Sequence, residues 1–435
     1  MIRYIFVSIF ILLFASCDNS IETIDNAEEE AENTQNNAPN ILLIIADDMG
    51  LDAAPGYDIG STKPNMPNLQ NLINSGIKFT NLWSNPTCSP TRATILTGKY
   101  GFKTGVLEAS DILSTSETSL QSYMDTNSST SYNHAVIGKW HLSNNENHPN
   151  NMGINHFAGL IGGGVQSYWN WNLTINGVTT KSTEYTTTKF TDLAINWVAE
   201  QTTPWFLWLA YNAPHTPFHL PPNDLHFQGT LPSDQVSIDS NPLPYYMAAL
   251  EALDTEMGRL INSMSSEEKD NTVIIFIGDN GTPNQVVQEH PSTRAKGSVY
   301  QGGVNVPMIV SGKNVTRINE TEDALINTTD FFTTIANIAG TSDTEIHDSK
   351  SFKNLLVSSD NTGKRDYIYT ENEDFTIRNA THKYIYFNNG SEALFNLNVN
   401  PLESPNLLNA NQLPLSNSDT TIKLELTTKL SEIRN

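Results

Sequence analysis

NILLIIADDMG, residues 40–50, runs six apolar side chains, Ile41 to Ala46, straight into two aspartates. An apolar run of that length without alternation suits a strand covered on both faces, and such strands belong to parallel sheets packed between helices. Three other segments repeat the design: HAVIGKWH (134–141), WFLWLAYNAPH (205–215) and TVIIFIGDNG (272–281). Between them, Phe190 to Glu200 and Tyr245 to Ser263 carry helical spacing. The pattern predicts an α/β domain built on a large, mostly parallel sheet flanked by helices. Ligand sites in such sheets gather beyond the carboxyl ends of the strands. There the four runs would bring together Asp47, Asp48, Lys139, His141, His215, Asp279 and Asn280.

From about residue 345 the texture changes to alternating segments, RDYIYTEN (365–372), FTIRNATHKYIYF (375–387) and EALFNL (392–397), joined by turn residues. They predict a smaller antiparallel sheet, with a helix over Thr420 to Ile433 packed on it. The expected organisation is a catalytic domain over 39–345 and a C-terminal α+β subdomain over 346–435. The Ser, Thr and Asn excess in 110–133 and 172–188 reads as surface loops.

Across 435 residues, 47 acidic side chains stand against 24 basic ones, a net charge of −23, which argues against nucleic acid as a partner. Residues 1–17 have Arg3, an apolar run from Ile5 to Phe14, two small residues and then Cys17. That run is too short for a permanent span and fits an export signal over 1–16, with Phe-Ala-Ser-Cys resembling a bacterial lipoprotein box. An ordinary secretory signal with a chance cysteine is the other reading. Residues 18–38, with seven acidic side chains and no basic ones, read as a solvated tether behind the lipidated Cys17. The expected place is a bacterial envelope membrane, periplasmic or cell-surface, held only by that anchor.

Cys88 is the one other cysteine, and a lone thiol is unusual in an exported chain. Pro90 suits the first turn of a helix, and Arg92 lies one turn beyond Cys88, so both can face one side of a helix start that favours an anion. A small buried core residue is the alternative. The adjacent aspartates, with Asp279 and Asn280, form an oxygen-only set suited to Ca²⁺, with Mg²⁺ as the other candidate; taken alone, an Asp-Asp pair is more often a helix cap or solvated turn. Arg92, Lys139, His141, His215 and Lys296 beside such an ion would make a pocket for a tetrahedral anion.

Cys88-Ser-Pro-Thr-Arg92-Ala-Thr-Ile-Leu-Thr-Gly-Lys99 resembles the signature of the formylglycine-dependent sulfatases, of the alkaline-phosphatase-like superfamily. The resemblance covers nearly all of 38–400 and includes Ala46-Asp-Asp-Met-Gly50, Gly138-Lys-Trp-His141, Ala213-Pro-His215, Gly278-Asp-Asn-Gly281, Lys296-Gly-Ser-Val-Tyr-Gln-Gly-Gly303 and Ala393-Leu-Phe-Asn-Leu397. It implies that a maturase oxidises Cys88 to formylglycine, whose hydrate is the nucleophile. Asp47, Asp48, Asp279, Asn280 and residue 88 would bind one Ca²⁺. Arg92 would hold the hydrate, Lys139 and Lys296 the sulfate oxygens. His215 with Lys296 would favour departure of the alcohol, and His141 would take the proton that frees sulfate.

Gln301, Asn305, the Phe102-Lys103 pair and Thr91 depart from the common pattern outside that set. The implied function is hydrolysis of a sulfate ester, on a short or terminal carbohydrate because an acidic body repels long polysulfated chains. The alternative is a phosphodiesterase or phosphonate monoester hydrolase of the same superfamily. Asn280, where two-metal relatives have His, favours a single metal. Trp169, Trp171, His219, His290 and Arg294 are candidates for the outer pocket, or else packing residues of loops.

Overall fold

The computed structural model describes residues 38–360 and 364–435. The expected export signal and, Ala38 aside, the lipidated tether lie outside the described residues.

Eleven strands form one sheet. They are β1 (Asn40–Ala46), β2 (Gly76–Trp83), β3 (Asn133–Lys139), β4 (His156–Leu160), β5 (Trp171–Ile175), β6 (Val178–Ser182), β7 (Trp205–Ala210), β8 (Thr272–Gly278), β9 (Asn305–Gly312), β10 (Glu320–Glu322) and β11 (Ile326–Asn327). The order is β10-β2-β9-β8-β1-β7-β3-β4-β5-β6, with β11 beside β2. The four apolar runs are the four adjacent strands β8, β1, β7 and β3, all parallel. Their double burial is literal: Ile41, Leu43 and Ile45 enter one core, and Leu42, Ile44 and Ala46 enter the other. Successive side chains of a strand point to opposite faces, so a strand between two helical layers must be apolar throughout.

One core receives the helices Cys88–Thr97, Leu120–Asn127 and Asp330–Ile338, and the other Pro67–Asn74, Thr186–Ala199 and Leu243–Ser263. Asp254, from the last of these, takes the backbone N–H groups of Asn68 and Leu69 at 3.0 and 2.7 Å. It thereby satisfies donors at a helix start that has no cap of its own.

Beyond the short hairpin of β12 (Glu345–Ile346) and β13 (Ser349–Lys350), a second sheet holds β14 (Ile368–Glu371), β15 (Phe375–Arg378), β16 (His382–Tyr386) and β17 (Glu392–Asn396), antiparallel and in chain order. The helix Asn417–Arg434 packs Leu426 and Leu430 on Tyr369, Ile377, Tyr384 and Leu394.

Two regions read as loops are structured. Residues 172–188 contain most of the β5–β6 hairpin and the start of the helix Thr186–Ala199. Its turn is Asn176-Gly177, both at positive φ, the dipeptide such a turn favours. In 110–133, Ser119 accepts the N–H of Ser122 at 3.1 Å and starts the helix Leu120–Asn127. Polar composition masked both signals.

Gly138 sits at φ +107°, and a Cβ there would meet the Ala210 carbonyl oxygen at 1.9 Å on the paired strand. Gly138→Ala is expected to destabilise the fold by about 3 kcal/mol or more. Chemical denaturation against the unaltered chain checks this, and an unchanged midpoint contradicts it.

Candidate active site at the carboxyl edge of the sheet

Where the parallel strands end, their next residues converge. Ala46 pairs with Gly278, so Asp47 and Asp279 leave adjacent strands side by side. The chain then turns at Asp48, φ +74°, whose N–H donates to Asp279 Oδ1 at 3.0 Å. Tyr246, from the long helix, donates its hydroxyl to the Asp48 carbonyl at 2.8 Å and fixes the turn from below.

The helix Cys88–Thr97 aims its first residue at these carboxylates, and all ten of its residues are buried. Arg92 is fully buried; Nη2 donates to Asp279 Oδ2 at 2.8 Å and Nη1 to the Lys139 carbonyl at 2.5 Å. Lys139 Nζ donates to Asp47 Oδ2 at 2.6 Å, and Lys296 Nζ lies 2.6 and 2.7 Å from the two Asp48 oxygens. Three carboxylates thus face three cations. Burial works against the charge on Arg92, Lys139 and Lys296, but the carboxylates outweigh it and raise all three. Burial alone would raise Asp48, yet Lys296, with His215 and Lys139, holds it well below the usual carboxylate range. Asp279 is pushed up to about 6 by burial and by Asp47 beside it.

Cys88 Sγ is 3.1 Å from His141 Nδ1. Burial pushes the thiol up and, with Lys139 and Arg92 near, pushes His141 down to about 2, so the imidazole is neutral. His141 stands at φ +57°, and its carbonyl accepts from Ser89 Oγ at 2.7 Å. His215 Nδ1 is 2.7 Å from the Thr216 carbonyl, which can only accept, so Nδ1 carries a proton and Nε2 faces Asp48 Oδ2 at 3.9 Å.

The residues present fit a hard divalent cation. Asp47 Oδ1 and Asn280 Oδ1 are buried with no hydrogen-bond partner, although buried acceptors normally have one. Asn280 Nδ2 spends its protons on Asp48 Oδ1 and the Gly281 carbonyl, at 2.8 and 3.1 Å, which leaves Oδ1 turned to accept. Ligand atoms of Asp47, Cys88 and Asp279 lie within 4.8 Å of one another.

The structure therefore brings together all ten residues singled out for this edge: Asp47, Asp48, Cys88, Arg92, Lys139, His141, His215, Asp279, Asn280 and Lys296. The outer-pocket candidates divide. Trp169 is half-exposed, whereas Trp171 is buried against Phe190 and donates to the Glu184 carbonyl at 2.9 Å. His219 stacks on Tyr168 at 3.7 Å between ring centres and is a packing residue. A separate concavity of 870 Å³, lined by Asn40, Trp205 and Asn271, lies at the opposite end of the strands, far from this chemistry.

Sequence reading missed what holds Lys296. Arg294 Nη1 donates to the Glu403 carbonyl and the Gln301 N–H to Glu403 Oε2, both at 2.7 Å, while Lys383 Nζ donates to the Val299 carbonyl at 2.6 Å. Lys383 and Glu403 are themselves a buried pair at 2.7 Å, with Lys383 over the Trp83 ring. The C-terminal part of the chain thus grips the Lys296 segment on both sides. Gln301 also accepts from Trp83 Nε1 at 2.8 Å, which gives this departure from the common pattern a packing role. Nothing in the local spacing of Lys383 or Glu403 marks them.

Such a site on this sheet defines a hydrolase of the alkaline-phosphatase-like fold. A family model described as Sulfatase matches residues 39–341, and the chain belongs to that family. It is 27% identical over 360 residues to the uncharacterized sulfatase YdeN of Escherichia coli (strain K12), an alignment covering 69% of this chain and 62% of that relative. With arylsulfatase G of Rattus norvegicus it shares 24% identity over 425 residues, 82% of this chain and 77% of the other. Among solved structures, Ps i-CgsB superposes with a TM-score of 0.77 at 25% identity over 91% of this chain and 92% of that one. BT4656, in complex with its substrate D-glucosamine-2-N, 6-O-disulfate, gives 0.71 at 19% identity over 91% and 97%.

Glu403→Ala leaves Lys383 buried and uncompensated, and is expected to lower stability by about 3–5 kcal/mol. Unfolding curves of the two proteins measure it, and a loss below about 1 kcal/mol would show that the pair holds nothing.

Proposed function

We propose that this chain hydrolyses a sulfate monoester carried by a sugar, with residue 88 matured to formylglycine and one divalent cation, Ca²⁺, held by Asp47, Asp48, Asp279, Asn280 and residue 88. The observation that carries the reading is a pair of buried oxygens without a hydrogen bond, Asp47 Oδ1 and Asn280 Oδ1, with Asp47 in the cluster that also holds residue 88 and Asp279. The cation supplies positive charge between crowded carboxylates, and the hydrated aldehyde supplies the attacking oxygen that Sγ now stands in for.

With three cations already balancing three carboxylates, a divalent ion makes the site net positive and draws in an anion. Arg92 orients residue 88 from within its own helix. Lys139 and Lys296 each bind one carboxylate and keep further N–H donors for sulfate oxygens. As the ester S–O bond breaks, the leaving oxygen takes its proton on the side of His215 and Lys296. His141 Nδ1, 3.1 Å from the Sγ position of residue 88, is within reach to take the proton whose loss regenerates the aldehyde.

Sulfated sugars are the substrate class because BT4656, alike in fold, takes a sulfated glucosamine. Asn280, a neutral ligand, supports one metal over two. Export and a lipid anchor at Cys17 complete the reading, together with a maturase as partner; among the described residues no helix is long and apolar enough to cross a membrane.

Mass spectrometry of the peptide around residue 88, on protein made with a maturase, is expected to find the aldehyde, and Cys88→Ala to have no turnover of para-nitrophenyl sulfate. Lys296→Met is expected to lower kcat/KM by about 100-fold or more. Full turnover by protein carrying only the unmodified thiol, or by Lys296→Met, contradicts the proposal.

A further inference from the structure

One strand along the sheet from Lys139, a cleft of 410 Å³ opens at the carboxyl end of β4, and nothing in the reading above uses it. Its floor is one face of the β5–β6 hairpin, where Asn172 stands directly opposite Lys181. Glu146, Gln166 and Asn170 are also part of the lining. The side chains of these five residues make no hydrogen bond or ion pair with any of the described residues. Their donors and acceptors are uncommitted and share one concave surface.

The cleft adjoins the catalytic edge across a wall without side chains. His141 N–H bonds the Ile161 carbonyl at 3.0 Å, so the next residues, Gly162 to Gly164, pass against the site. A Cβ on Gly163 would lie 2.2 Å from His141 Nε2, and one on Gly164 would lie 3.4 Å from His215 Cε1. Gly162 and Gly164 also line the cleft. Three glycines keep this wall low between the two histidines and the hairpin, and a ligand can lie across it.

Carboxamides both donate and accept, which matches the paired donor and acceptor character of sugar hydroxyls. Glu146 and Lys181 cancel in charge. A polysulfated chain would need several cations here, and the lining offers one. We propose that the cleft binds an uncharged saccharide unit next to the sulfated sugar, so that this chain acts on a sparsely sulfated oligosaccharide. The inference rests on the sulfatase reading above and adds where the rest of the substrate lies.

The test compares wild type with Asn170→Ala/Asn172→Ala and with Lys181→Ala, all exposed positions outside the charged cluster. The substrates are para-nitrophenyl sulfate and matched pairs of sulfated galactose, fucose and N-acetylglucosamine, each alone and extended by one uncharged sugar. Wild type is expected to turn over at least one extended partner with kcat/KM about tenfold above its monosaccharide. Both variants are expected to lose most of that advantage, chiefly through KM, while their para-nitrophenyl sulfate activity stays unchanged. No gain from extension in any pair, or a gain that survives in the variants, overturns the cleft assignment while the aryl sulfate activity stands. Absence of all turnover by matured wild type overturns the sulfatase reading and the cleft with it.

Discussion

Six charged side chains buried together are the constraint on which this molecule is built. Arg92, Lys139, Asp47, Asp48 and Asp279 are at most 1% exposed, with Lys296 closing the set from a more open side. Removing any one leaves a neighbour charged, desolvated and unpaired, a situation that costs several kcal/mol. Parallel strands between two helical layers solve this by delivering Asp47, Lys139 and Asp279 from three neighbouring places along one edge. The remaining imbalance is informative. Asp279 is raised by burial and then by its carboxylate neighbours, and two acceptor oxygens make no hydrogen bond; one hard cation would answer the crowding and the vacant acceptors.

The smaller C-terminal sheet belongs to the same account. Lys296 is the one cation of the site that comes from neither a strand end nor the Cys88 helix, and its segment is pinned by Glu403 and Lys383. Folding of the second sheet and placement of Lys296 are therefore coupled. Catalytic edge, gripping C-terminal sheet and hairpin cleft are held in three different ways. The first is held by buried ion pairs, the second by hydrogen bonds and the Lys383–Glu403 pair, and the third exposes the side chains of Glu146, Gln166, Asn170, Asn172 and Lys181 without partners among the described residues.

Much of this was legible in the residues themselves. A doubly buried strand leaves an uninterrupted apolar run, and the polar residues that end such runs mark the ligand edge, so β1, β3, β7 and β8 and their carboxyl-end residues could be read directly. The spacing of Cys88 and Arg92 gave one face of a helix start. Tyr246, Ser89, Lys383 and Glu403 could not be read this way, because each acts across more than 50 positions of sequence through a contact that only the tertiary fold creates. The β5–β6 hairpin was hidden by its threonines and asparagines. Trp171, Leu173 and Ile175 alternate in β5 ahead of the Asn-Gly turn, but β6, Val-Thr-Thr-Lys-Ser, has no apolar alternation to pair with them.

The central claim is that the carboxylate cluster holds a divalent cation beside residue 88. Crystallography of the matured protein grown with calcium, recorded with anomalous scattering, tests it most directly. A single peak about 2.3–2.6 Å from oxygens of Asp47, Asp48, Asp279 and Asn280 is the expected result. Those four side chains closed on Lys139, Lys296 and Arg92 with no ion among them, at saturating calcium, would contradict it.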